Sequence, residues 1–186
     1  MSSIVRTVAP TTTPVTLDEL KDKLRISGNE FDTELQVHLD GATDYCQEYQ
    51  WAQFCTATFV ERFDSFPCEF RPQRNPLRSV TSLAYVDSGG TTQTIVENTD
   101  YTVDIYSIPA RVVPAYSKSW PASRGHINDV TLTYVAGYGG VDDVPDEVRL
   151  AILLKAARTY EHCEDGGAMD GVIHNLLDKR SFRVFY

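Results

Sequence analysis

The part of this 186-residue chain that comes nearest to a chemical motif is residues 131–165, TLTYVAGYGGVDDVPDEVRLAILLKAARTYEHCED. A β-like run enters Gly137, Gly139 and Gly140, and a helical pattern starts near Pro145. A strand, a glycine loop and a helix N-terminus in that order could cradle a phosphate on backbone amides. The spacing argues against it. Gly137-x-Gly139-Gly140 matches neither GxGxxG nor GxxxxGK[ST], no lysine follows, and Asp142 and Asp143 compete with an anion for the same amides. The expectation is a structural turn between a strand and a helix.

Thiol or metal chemistry fares no better. His162 and Cys163 are neighbours near a helix end, where adjacent side chains point about 100° apart and cannot easily clasp one ion. His174 lies well beyond Cys163, and no further Cys or His stands at the short spacing of a zinc site. Cys46, Cys55, Cys68 and Cys163 follow no disulfide framework and read as reduced thiols. His38, inside an apolar stripe, reads as a partly buried histidine. No GxSxG, HExxH or paired-carboxylate signature occurs, so no catalytic, cofactor-binding or metal-binding residue is assigned and no enzyme is expected.

Binding chemistry is the remaining class. The stretch RFDSFPCEFRPQRNPLR sets Arg62, Arg71, Arg74 and Arg78 among Phe63, Phe66 and Phe70. Such a mixture can hold single-stranded nucleic acid by stacking and charge, or form a β edge at a protein interface. The formal net charge of −9 favours the interface, because phosphate-gripping proteins need a basic surface. Charge is also unevenly spread: Ile26 to Glu61 holds seven acidic residues and no Lys or Arg, which reads as a solvated acidic face. The tail DKRSFRVFY interleaves Lys179, Arg180 and Arg183 with Phe182, Val184, Phe185 and Tyr186. One reading folds this arm back as an edge strand on its own β unit. The other extends it to a partner, with Arg180 and Arg183 pairing acidic groups and Phe182, Phe185 and Tyr186 as anchors.

The elements that would position these residues can be read from periodicity. Residues 1–15, rich in Thr and Pro, form an extended N-terminal arm rather than an element. Thr16-x-x-Glu19 is a capping box that opens a short helix over about 16–26. Phe31, Leu35, His38, Ala42, Tyr45 and Tyr49, flanked by Leu39 and Cys46, predict a second helix over about 30–51, closing a helical hairpin over 16–51. From Thr56 the period becomes two, and 56–137 reads as an inserted, mostly antiparallel β unit. A helix over 145–163 is apolar on more than one face and so must be wrapped by neighbours: the hairpin, the β unit or another subunit. Residues 168–186 give a short amphipathic helix and the C-terminal arm. The class is α+β in one domain, with the hairpin and the later helix packed together, the β unit inserted between them in sequence, and extended terminal arms. No run approaches a membrane span and the N-terminus lacks a signal-peptide pattern, so a soluble chain made in the cytoplasm is expected.

VTLDELKDKLRI near the start, ARVVPAYSKSWPASRGHINDVTLTYVAGYGGVDDVPDEVRLAILLKAARTYEH in the second half and GVIHNLLDKRSFRVFY at the end together resemble the head-tail connector (adaptor, or head-completion) proteins of long-tailed bacteriophages and gene transfer agents. The resemblance covers most of residues 15–186. It implies a virion protein that forms a homo-oligomeric ring, typically of twelve copies, under the portal protein of a DNA-filled head. Such a ring would dock a downstream neck or tail-completion protein and continue the DNA channel without binding DNA specifically, and it implies no cofactor and no membrane. The competing readings are a nucleic-acid-binding module and a small cytoplasmic enzyme with an unrecognised site. The charge separates the first of these. Duplex DNA binding by the isolated chain should be weak and vanish at physiological salt in a filter or mobility assay, whereas sub-micromolar binding persisting there would favour the nucleic-acid module.

Overall fold

A computed structural model describes residues 3–161, 168–179, 181 and 182, the side chains of 168 and 169 excepted. The fold is α+β, with four α-helices and seven strands among the described residues. The chain divides into two compact units: a β unit built from residues 3–10 and 56–138, and a helical unit from 11–55 and 139–182.

The β unit holds a five-stranded antiparallel sheet in the order β1-β2-β7-β3-β4. Its strands are β1 (Ser3–Val8), β2 (Ala57–Phe63), β3 (Leu77–Val86), β4 (Thr92–Ile95) and β7 (Val130–Ala136). A separate hairpin pairs β5 (Tyr101–Asp104) with β6 (Arg111–Pro114). The last strand in sequence is the middle strand in space. On β7, Val130, Leu132, Tyr134 and Ala136 are fully buried and alternate with half-buried Thr131, Thr133 and Val135, the period-two signature of a strand with one covered face. Ala57 and Phe59 of β2, Leu77, Val80 and Leu83 of β3, and Phe70, Tyr101 and Val112 complete that core. Residues 3–8, expected as an extended lead-in without an element of its own, are extended but pair with β2 as an edge strand; Ile4 opposite Glu61 turns toward the core, while Val5 and Val8 stay exposed.

The helical unit is built from α1 (Leu17–Leu24), α2 (Asp32–Gln50), α3 (Asp146–Glu161) and α4 (Ala168–Asp178). The capping box read from the sequence is formed: the Glu19 amide donates to the Thr16 hydroxyl, and Glu19 Oε2 accepts from the Thr16 amide at 2.8 Å. The same carboxylate takes an ion pair from Arg149 of α3, whose Nε also donates to the Pro14 carbonyl, so one glutamate caps α1 and ties it to α3. Along α2 the buried seam is Leu35, Leu39, Ala42 and Cys46, extended by Gln47 and Gln50. It is rotated from the predicted stripe, since Phe31 and Tyr45 are exposed and His38 is half-buried, edge-on to Tyr160. Helix α3 packs against α1, α2 and α4 and buries Val148, Ala151, Ile152, Ala156 and Ala157. Its alanines permit close approach of neighbouring helices.

Ile152 has no exposed surface whereas Leu150 is 42% exposed, so the two test the packing against each other. Ile152→Ala should lower the stability of the helical unit by about 2–5 kcal/mol, and Leu150→Ala by about 1 kcal/mol or less, in urea unfolding followed by far-ultraviolet circular dichroism. Equal losses would show that α3 is oriented differently.

Candidate interaction surfaces

The glycine turn is built as a junction. Gly137 and Gly139 have φ of 130° and 146°, a region open in practice to glycine alone. A Cβ on Gly139 would lie 2.0 Å from Asp143 Oδ2, and that carboxylate accepts the Gly140 amide at 2.9 Å. The protein's own aspartate thus occupies the position a phosphate would need.

The rings of the arginine–aromatic stretch pack against one another rather than standing open, with Phe70 buried and Phe63 and Phe66 half-buried. Phe70 is fully buried; Phe63 and Phe66 pack edge-on against it at 5.0 and 6.1 Å, and Trp120 stacks on Phe66 at 5.2 Å. A single-strand platform needs free ring faces, and these are spent in the core. Arg71 and Arg78 use their guanidinium groups within the unit, and Arg74 contributes its backbone amide. Arg71 pairs with Glu69, Arg78 donates to the Tyr138 carbonyl at 2.6 Å, and the Arg74 amide donates to the Tyr134 hydroxyl at 3.2 Å.

That hydroxyl belongs to a buried polar network. Tyr134 donates to Glu61 Oε1 at 2.6 Å, and the Gln73 amide donates to the same oxygen at 2.7 Å. Glu61 has no exposed surface, and its Oε2 has no partner among the described residues. Burial raises its pKa above the ordinary 4.5, against the opposing hydrogen bond from Tyr134. Two residues along, buried Asn75 donates to the Pro72 carbonyl and accepts the Ala110 amide at 3.2 Å. The network thereby fixes loop 70–76, and that loop fixes the end of the β5–β6 hairpin.

The hairpin end itself is rigid and apolar. Asp104 accepts from the Tyr106 and Ser107 amides, from the Ser107 hydroxyl at 2.6 Å and from Arg111 Nε at 3.0 Å. The Ser107 hydroxyl, then Arg111, hold the Asp104 carboxyl down at about 2. Around this fixed carboxylate, Tyr106 is 92% and Ile108 73% exposed. A loop tied by four hydrogen bonds while presenting two large apolar side chains to water has the features of a recognition element. The strand-like alternation of DYTVDIY within 56–137 does not reveal this turn, because β5 ends at Asp104.

The helical unit carries the charge. Segments 1–10 and 56–138 hold eight basic and eight acidic residues, whereas 11–55 and 139–183 hold nine basic and eighteen acidic ones, so the net −9 lies wholly in the second set. On α2, Glu34, Asp40, Asp44 and Glu48 are exposed together. Helix α4 is held by aromatic and polar contacts. His174 stacks on Tyr49 at 4.4 Å, its Nε2 lies 2.9 Å from the Tyr45 hydroxyl, and Lys155 Nζ sits 4.2 Å over the Tyr45 ring. Asp170 pairs with Arg158 at 2.6 Å. Of the C-terminal residues read as partner contacts, Phe182 is buried and its amide donates to the Gln50 carbonyl at 3.0 Å. Arg180, Arg183, Phe185 and Tyr186 lie outside the described residues, as do His162 and Cys163. Buried Cys46 has its thiol pushed up to about 12 by desolvation, which makes it unreactive.

No family model matches the chain, and no curated protein matches it. Solved structures do. The chain is similar to one in the neck of an empty gene transfer agent particle computed with C6 symmetry, at TM-score 0.79 and 21% identity, with 98% of this chain and 97% of that one covered. It is similar to the same extent to a chain in the virion of a native gene transfer agent particle. A chain in the neck of a native particle computed with C12 symmetry gives TM-score 0.77 and 20% identity over the same coverage. At such identity the likeness establishes a shared fold along essentially the whole length.

The buried glutamate gives a pH test. Because the folded pKa is raised, the native state holds more protons than the unfolded chain between 4.5 and that raised value, and stability falls as pH rises through this window. Glu61→Gln keeps an acceptor for Tyr134 and Gln73 but cannot titrate. Urea unfolding of both proteins from acidic to mildly alkaline pH should show the variant gaining on the wild type as pH rises. A difference that does not change with pH would mean that Glu61 titrates alike in both states.

Proposed function

We propose that this chain is a structural component of a phage-type virion neck, an adaptor that forms a ring beneath the portal, joins the DNA-filled head to the next neck or tail protein and continues the DNA channel. The observation that carries this reading is the near-complete two-way coverage with chains in gene transfer agent necks. Fold and charge support it. The net negative charge suits a conduit that must not retain the DNA passing through it. The role is structural rather than catalytic, and the virion is its place of action.

The grip on the portal falls to the C-terminal arm in this reading. Phe182 roots the arm in the helical unit through its buried ring and its bond to Gln50. Arg180, Arg183, Phe185 and Tyr186 reach the partner, the arginines pairing with its carboxylates and the aromatics filling pockets.

Electron microscopy of the purified chain mixed with the portal ring from the same genome tests the whole reading: rings seated on the portal are expected, and a chain that never associates with it would end the proposal. Deleting residues 183–186, which leaves Phe182 in place, should keep circular dichroism and melting within about 1 kcal/mol of the full chain while abolishing attachment. Undiminished attachment would move the grip elsewhere.

A further inference from the structure

Resting on the ring reading above, we propose that neighbouring copies meet through unlike surfaces: the β5–β6 hairpin end of one copy, with Tyr106, Ile108 and Arg111, seats on the α3 ridge of the next, with Asp146, Leu150 and Leu154. A closed ring of more than two identical subunits requires two different, mutually complementary patches on each copy. The charge partition restricts which patches these are. Two helical units, each carrying the whole net −9 of its chain, repel one another, whereas the β unit has no net charge and can approach either kind of surface.

Within those bounds Tyr106 and Ile108, which with Tyr116 and Ile127 are the β unit's highly exposed large apolar residues, are held out together by the Asp104 hydrogen bonds rather than by chance. Rigid presentation lowers the entropy cost of docking. At its base Arg111 is half exposed, so its guanidinium can serve Asp104 through Nε and still offer its terminal nitrogens outward. The matching surface is on α3. Asp146, Leu150 and Leu154 recur every fourth residue and so line one ridge. Asp146 is completely exposed, Leu150 is 42% exposed and Leu154 is half-buried. An apolar ridge that starts with a fully exposed carboxylate, only loosely paired with Arg149 at 3.9 Å, complements an apolar tip flanked by a guanidinium. Of the other exposed aliphatic residues on the helices, Val37 on α2 stands between exposed Glu34 and Asp40, and Val172 on α4 follows Ala168 and Met169, so that no carboxylate opens its row.

Covalent capture tests the contact. In a background carrying Cys68→Ser and Cys163→Ser, chains with both Ile108→Cys and Leu150→Cys are assembled on the portal ring and mildly oxidised. A ladder of covalent multimers beyond the dimer is expected, and neither single variant should give one, because each copy then offers only half of the contact. As a second readout, Tyr106→Ser with Ile108→Ser should leave circular dichroism unchanged and weaken ring formation by roughly tenfold or more. If wild-type rings form but the double-cysteine chain gives no ladder, or the serine variant assembles like wild type, the contact is overturned while the ring reading stands. If the wild type forms no ring on the portal, both fall together.

Discussion

The β unit depends on how one buried hydroxyl is satisfied. Tyr134 is the largest fully buried side chain, in the central strand, and an unpaired phenol there would cost the sheet a desolvation penalty on the order of 1–3 kcal/mol. Its hydroxyl donates to Glu61 and accepts from the Arg74 amide, so it bridges β2 and β7 to loop 70–76. From that loop Asn75 reaches Ala110, and the hairpin end inherits its position from a phenol in the middle of the sheet. A surface feature is thus specified from the core outward. Buried polar networks of this kind fix one arrangement among several that apolar packing alone would tolerate.

Much of the architecture was legible. Helix α1 announced itself by a capping box, α3 by Pro145 and its acidic first turn, and the β unit by the change of period at Thr56. The misreadings have definite causes. On α2 two adjacent stripes share Leu35 and Ala42, and the aromatic residues weight the pattern toward Phe31, Tyr45 and Tyr49 although the flanking Leu39 and Cys46 are the ones in the buried seam. Phe31, Tyr45 and Tyr49 tolerate partial exposure through their size or hydroxyls, whereas Leu35, Leu39, Ala42 and Cys46 are the side chains that gain most from complete burial. Strand β1 escaped because an edge strand with a mostly exposed burial pattern has no alternation to detect; only its partner β2 defines it.

The polar site was half visible. Glu61 shares the parity of Ala57, Phe59 and Phe63, so the alternation already assigned it to the buried face, and a charged residue on that face demands partners. Which partners could not be read, because Tyr134 and Gln73 reach it only through pairing and loop closure across long sequence separations. The hairpin end was hidden for a local reason. DYTVDIY alternates well enough for a strand, but Asp104 turns its carboxylate back onto the Tyr106 and Ser107 amides and ends the pairing. In the glycine turn the same chemistry was legible, since Asp143 was in view as a competitor for the amides and is the group that takes one.

The distribution of charge bears on how copies of the chain can associate at all. A uniformly acidic subunit would resist every contact with its own kind, and the remedy would be high salt or a cationic partner. Here the β unit balances its charges, and its ion pairs are internal, Arg111 with Asp104 and Arg124 with buried Asp129. The unbalanced carboxylates belong to the helical unit, where α2 exposes four of them without a basic neighbour on the helix. At physiological ionic strength such repulsion is screened beyond about 8 Å, so it acts chiefly on surfaces about to touch. It therefore works as a filter on orientation rather than as a barrier to approach: contact between two helical units is penalised, and contact that involves the neutral β unit is not.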